Sequence, residues 1–245
     1  MCETENAFAV LGNHEFNAIG WDTPDDKGGF LRAHSEKNAN QHKEFLLQIG
    51  EGSREYHEAI GWFRRLPVWT EFNGFRVVHA CWHEASRVAL SPYVDSQGRF
   101  TDEGFKEALR PNSEAYVAAE ILMKGPEAHL PSGMYFLDKD GHKRDQVRLS
   151  WWRADATTFR KAAYGMDDRR EELPDVELPT DFRYRESTPV FFGHYWLNGE
   201  PALTSSTAAC LDFSVAREGY LTAYRWSGES ELLSDRLEYV RAAGL

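Results

Sequence analysis

Short apolar runs, several closed by a glycine or a histidine, alternate with longer polar stretches. Phe8 to Leu11 is the first such run and predicts a buried strand; Gly12 ends it, and Asn13, His14 and Glu15 follow at once. Residues 17 to 39 are rich in turn formers and predict a loop. Residues 40 to 49 carry Phe45, Leu46 and Ile49 at helical spacing. Residues 53 to 65 open with Ser53 and repeat Tyr56, Ile60 and Phe63, the pattern of a capped amphipathic helix stopped by Pro67. Asn73-Gly74 between two apolar runs, 68 to 72 and 75 to 80, predicts an antiparallel hairpin. Residues 101 to 124 are helical with a break near Pro111, capped at Thr101 and again near Asn112-Ser113, and stopped by Gly125-Pro126. A second hairpin is expected in 134 to 153 around Asp140-Gly141. Residues 165 to 187 form a long charged surface loop or a substrate-facing insertion. Three more strands follow: 189 to 192, closed by Gly193 and His194, then 208 to 213 and 219 to 226.

Composition narrows the class. At 245 residues with 42% hydrophobic content, the chain suits one large domain with a sizeable core, and no repeat or linker divides it. No apolar run reaches the roughly 18 residues of a membrane helix, and the polar start is no secretory signal. Cys2, Cys81 and Cys210 are too widely spaced for a disulfide framework or zinc pattern, which suits a reduced, cytoplasmic setting. A net charge of −11 argues against nucleic acid or an anionic membrane as partner. It leaves open a local metal centre that captures phosphate.

The chemistry gathers at strand ends. Three apolar runs lead into His14, His79 and His194, the positions where open α/β sheets place ligands. One such histidine is ordinarily structural; three, with the carbonyl of Asn13, form a set suited to a divalent ion and to phosphate-ester hydrolysis by metal-activated water.

Gly12-Asn13-His14-Glu15 resembles the GNHE signature of the calcineurin-like metallophosphoesterases, which include serine/threonine protein phosphatases and diadenosine tetraphosphate hydrolases. His79 and Gly193-His194 fall in the order of that family's later histidine motifs. Cys210 to Val215 with Gly219 to Trp226 resembles the closing strand pair of its bacterial phosphatase branch. The resemblance implies an α/β fold, a two-sheet sandwich flanked by helices. It implies Asn13, His79 and His194 as ligands of one metal ion (Mn, Fe or Zn) and His14 as the general acid for the leaving oxygen. Glu15 then either orients His14 or is an ordinary helix-start carboxylate. The implied substrates are phosphoproteins, dinucleotide polyphosphates or small phosphomonoesters.

The family's GDxHG and GDxxDRG motifs have no counterpart, since no Gly-Asp dipeptide occurs. The expectation is therefore an N-terminally incomplete domain, lacking the first strand and helix. Two metals serve the intact family; at most one is expected here. An exposed sheet edge would favour pairing with another chain. The competing readings are an inactive fragment or pseudoenzyme that acts as a binding partner, and a mononuclear metal-binding protein. Arg148 and Arg153, flanking Trp151-Trp152, either grip phosphate or form surface ion pairs. Tyr195 and Trp196 either wall the pocket or fill the core, His83 is a further site candidate, and Asp212 is expected to order a loop.

Overall fold

The computed structural model describes residues 7–138 and 141–243. It is a mixed α/β structure whose chain groups into two compact units. The first comprises residues up to Glu71, Val77–His79 and Glu84–Met123; the second comprises Phe72–Arg76, Ala80–His83 and the chain from Lys124 onward. Among the described residues no helix is long and apolar enough to cross a membrane.

The first unit is mainly helical. Helix α1 (Asn13–Asp22) starts directly after Gly12. The strand expected at Phe8 to Leu11 does not form: residues 7 to 12 are not assigned to any strand, Phe8 is 68% exposed, and of the four only Leu11 is fully buried. A four-residue apolar run does not separate strand from helix lead-in, and this one is tied by a bond from Leu11 N–H to the Pro67 carbonyl (2.7 Å). The expected loop from residue 17 is also corrected, since Asn17 to Asp22 complete α1 and bury Ile19 and Trp21. Gly20, one of the turn formers of that stretch, is where the side chain of Leu109 comes close; an added methyl would lie 3.0 Å from its Cδ1.

Further helices are α2 (Glu36–Asn40), α3 (Lys43–Phe45) with a π-helical turn at Leu46–Gly50, and α4 (Arg54–Phe63). The Ser53 hydroxyl accepts from Tyr56 N–H at the start of α4, as its spacing predicts. Helices α5 (Glu84–Leu90), α6 (Asp102–Leu109) and α7 (Glu114–Lys124) follow. The last two match the expected broken helix, with Thr101 capping α6 and Ser113 accepting from Tyr116 N–H. Phe16, Phe100 and Phe105 pack at 5.1–6.2 Å between ring centroids and anchor the core of this unit.

The Asn73-Gly74 hairpin forms as β1 (Trp69–Phe72) and β2 (Phe75–Val78), with Gly74 at φ +100°. Its loop end falls in the second unit, where an added methyl on Gly74 would meet Trp226 at 2.7 Å. The expected second hairpin is two nested antiparallel pairs. Strand β3 (Glu127–His129) pairs β6 (Gln146–Arg148), and β4 (Phe136–Leu137) pairs β5 (Lys143–Arg144). Asp140, assigned to that turn, lies outside the described residues. Helix α8 (Phe159–Ala162) then leads into irregular chain whose one regular piece is a 3₁₀ turn at Asp167–Glu172. Strands β7 (Val190–Phe192) and β8 (Ala208–Cys210) are parallel, and the sheet order is β1-β2-β7-β8. Strand β9 (Asp212–Phe213), β10 (Tyr220–Tyr224) and β11 (Leu237–Arg241) form a separate antiparallel sheet in the order β11-β10-β9. Cys81 and Cys210 are buried free thiols.

Candidate functional site

The residues of the Gly-Asn-His-Glu run occupy the start of α1 instead of a strand end. Gly12 is the N-cap and has no side chain with which to cap the helix, so the first turn presents backbone N–H groups and the positive end of the helix dipole. Asn13 and Glu15 are half-buried, and His14 is exposed. His79 follows directly on β2, and its Nε2 lies 2.9 Å from Asn13 Oδ1. Two donors on one ion at about 2.1 Å and at right angles would sit about 3 Å apart, so this pair has the spacing of neighbouring ligands as well as that of a hydrogen bond.

Burial, helped by the nearby His14, pushes the His79 pKa down to about 4. The ring is therefore neutral near pH 7, the form able to ligate a metal. Gly12 is required by close approach. A methyl on its Cα would lie 2.5 Å from Glu15 Oε2 and 3.0 Å from Cε1 and Nδ1 of His79. Glu15 thus turns its carboxylate into the small space over Gly12 that the His79 ring also lines. His14 and Glu15 are consecutive on a helix, and such neighbours do not face each other.

Behind α1 lies a polar group that the sequence did not mark. Asn17 Nδ2 donates to Gln41 Oε1 (3.3 Å), Arg32 donates to the same oxygen, and desolvation followed by the charge of Arg32 lowers the pKa of buried His42. None of these residues belongs to a recognisable motif.

The second unit holds the other candidates. His194 follows β7 with φ +72°, an uncommon left-handed backbone for a side chain of this size. Its Nε2 lies 3.3 Å from Arg148 Nη1, while Arg148 Nη2 donates to Glu127 Oε1 (3.0 Å). So Arg148 and His194 are brought together. Arg153 instead makes a two-pronged pair with Asp155 (3.1 and 2.9 Å), the surface ion-pair alternative. Tyr195 is core: 1% exposed, it packs against Trp152 and Tyr164 and donates to the Leu149 carbonyl (3.3 Å). Trp196 is partly exposed beneath the Arg217 guanidinium. His83 packs against Phe182 with the rings tilted by 50° and their centroids 5.0 Å apart. Asp212 orders its loop, accepting from Ser214 N–H (3.1 Å) and Trp196 N–H (3.4 Å).

Asn13, His14, Glu15 and His79 therefore belong to the first unit, and Arg148, Arg153 and His194 to the second. Among the described residues there is no group of three or more His, Cys, Asp or Glu placed to hold a metal ion. No protein-family profile, curated protein or solved structure matches the chain.

Proposed function

We propose that the chain is a metal-dependent phosphoesterase of the calcineurin-like type, with the two-sheet sandwich of that family as its architecture. The observation that carries the reading is the Asn13–His79 pair: an amide oxygen and a neutral imidazole nitrogen 2.9 Å apart beside the uncapped start of α1. Asn13 and His79 would hold a divalent ion (Mn, Fe or Zn), with His194 as the third ligand that the resemblance implies. When bound, that ion would polarise a phosphoryl oxygen and make water a better nucleophile.

The chain's own residues have separate tasks. The N–H groups of the first turn of α1 attract the phosphate oxygens. His14, on that same turn and open to solvent, donates a proton to the leaving oxygen. Arg148 holds the phosphate of a phosphoprotein, nucleotide or small ester, and Arg153 is a weaker candidate for the same task because Asp155 already engages it. A neutral Asn and His donor set binds a divalent ion less tightly than one containing carboxylates, so high metal concentrations are needed.

The test is manganese-dependent hydrolysis of p-nitrophenyl phosphate, with manganese affinity measured separately by calorimetry. His14→Ala is expected to lower turnover about 10²- to 10⁴-fold while affinity for manganese persists. Turnover unchanged in this variant would remove His14 from the mechanism. Manganese bound without turnover by the unmodified chain would favour the non-catalytic, metal-binding reading, and neither binding nor turnover would favour the pseudoenzyme.

A further inference from the structure

Strand β11 is the outer strand of the β11-β10-β9 sheet, and four of its five residues, Glu238 to Arg241, are exposed. By contrast β8, an end strand of the larger sheet, is buried throughout. The bonding of β11 to β10 fixes which of its backbone groups face out. At the two ends of the ladder Ala242 N–H donates to the Gly219 carbonyl and Arg225 N–H to the Arg236 carbonyl, both at 2.9 Å. Directly bonded pairs recur at every second residue of an antiparallel ladder. The bonded pairs between these ends are therefore Leu221 with Val240 and Ala223 with Glu238. Leu237, Tyr239 and Arg241 turn their N–H and C=O groups outward, and among the described residues no backbone bond meets them there. Such an edge is a template for another strand.

The edge is complementary to itself. A second copy turned about a two-fold axis at Tyr239 sets Tyr239 against Tyr239 and Leu237 against Arg241, the residues whose backbone groups face out. On the opposite face Glu238 meets Val240, so no like charges stand opposite each other. Strand β10 has no charged residue and β11 has one of each sign, Glu238 and Arg241. In a protein of net charge −11 this neutral pair of strands is a place where two copies repel little. It also carries open apolar surface. Leu221 and Val240 are direct neighbours across the ladder and each is 61% exposed, and Tyr239, 42% exposed, is held edge-on by Tyr220 with centroids 5.5 Å apart. Arg225 and Glu238 pair at 2.6 Å beside them, so the Glu238 carboxylate is already compensated.

We infer that two copies of this chain join through β11, antiparallel about Tyr239, so that their three-stranded sheets become one sheet of six strands. Main-chain bonds at Leu237, Tyr239 and Arg241 supply the affinity, and the Tyr239 rings and the Val240 side chains flank the axis. The joined sheet reaches towards the His194 loop through β9: Asp212 accepts from Trp196 N–H (3.4 Å) on its side chain and from Leu197 N–H (2.9 Å) on its carbonyl. The inference does not depend on the phosphoesterase reading.

The test is sedimentation velocity of the full chain under reducing conditions, up to about 200 µM, within the range of weak specific association. A reversible dimer is expected, half-formed at about 10 to 100 µM. Tyr239→Pro removes an N–H that faces outward and none that bonds β10, and is expected to weaken the dimer at least about tenfold. Cross-linking checks the register even if that variant fails to fold. With Cys2→Ser in place, Tyr239→Cys is expected to couple to its copy through a short bismaleimide at least about tenfold faster than Arg241→Cys, whose copies lie four residues, roughly 14 Å, apart along the strands. A monomer at every concentration, a dimer that a folded Tyr239→Pro leaves intact, or coupling at position 239 no faster than at 241 would overturn the inference.

Discussion

His79 and His194 both follow a short apolar strand, yet their surroundings differ in kind. His79 sits in a close-packed pocket made by the start of a helix. Its ring is desolvated, neutral, and set 2.9 Å from an amide oxygen. His194 is placed by backbone geometry, with φ +72° directly ahead of Tyr195, and its ring nitrogen faces a guanidinium. One histidine is positioned by what presses on it, the other by an aromatic frame that fixes the chain beneath it. A strand-then-histidine pattern therefore identifies a location and leaves the protonation and freedom of the ring to tertiary packing.

The sharpest way to break the comparison is to remove the frame under His194. Trp151 is 1% exposed, lies 4.7 Å from Phe192 between centroids, and donates its indole N–H to the Ala80 carbonyl (3.0 Å). Trp151→Ala is expected to cost about 3–5 kcal/mol in denaturant unfolding and to shift the His194 ring resonances in NMR spectra. Unmoved resonances would mean that the backbone at residue 194 holds without the frame.

Acid probes the other histidine. The folded pKa of His79, about 4, lies below the 6.5 of a free imidazole, so between these values the unfolded chain binds a proton that the folded chain refuses. Its contribution is complete above about pH 6.5 and falls as pH drops towards 4, by about 3 kcal/mol in all. Chemical denaturation across this range, compared with His79→Gln, isolates the effect; an equal acid slope in both proteins would assign it elsewhere.

The smallest change is a single methyl. Gly12→Ala forces Glu15 or the His79 ring to move and is expected to cost about 1–3 kcal/mol. It should also raise the His79 pKa if the ring is displaced towards water, which NMR titration would show. An unchanged pKa with lower stability would mean that Glu15 alone gives way.

Legibility along the sequence followed the range of the interactions involved. The β1–β2 hairpin, α4, the α6–α7 break and β7 were readable because Asn73-Gly74, Ser53, Thr101 and Gly193 act within a few residues of themselves. Phe8 to Leu11 was misread because a strand exists only if another backbone pairs with it, and four apolar residues carry no record of a partner. Helix α1 was partly hidden by Asn17 and Gly20, poor helix formers retained for burial and close approach. The pairing of Asn13 with His79 spans 66 positions and could be expected only through the family resemblance. The contacts of Gly12 with Glu15 and His79 left no sequence signal, because a glycine required by space looks the same as one required by a turn.

The two enclosed thiols have a use in kinetics. Cys81 and Cys210 are at most 1% exposed, and burial raises the pKa of both, that of Cys210 to about 12. In the closed protein they present almost no thiolate to an alkylating or disulfide reagent. Each becomes a clock that runs only while its own surroundings are open, and its labelling rate counts those openings. With Cys2 replaced by serine, one reagent would time both strand ends in the same sample, Cys81 just beyond β2 and Cys210 closing β8.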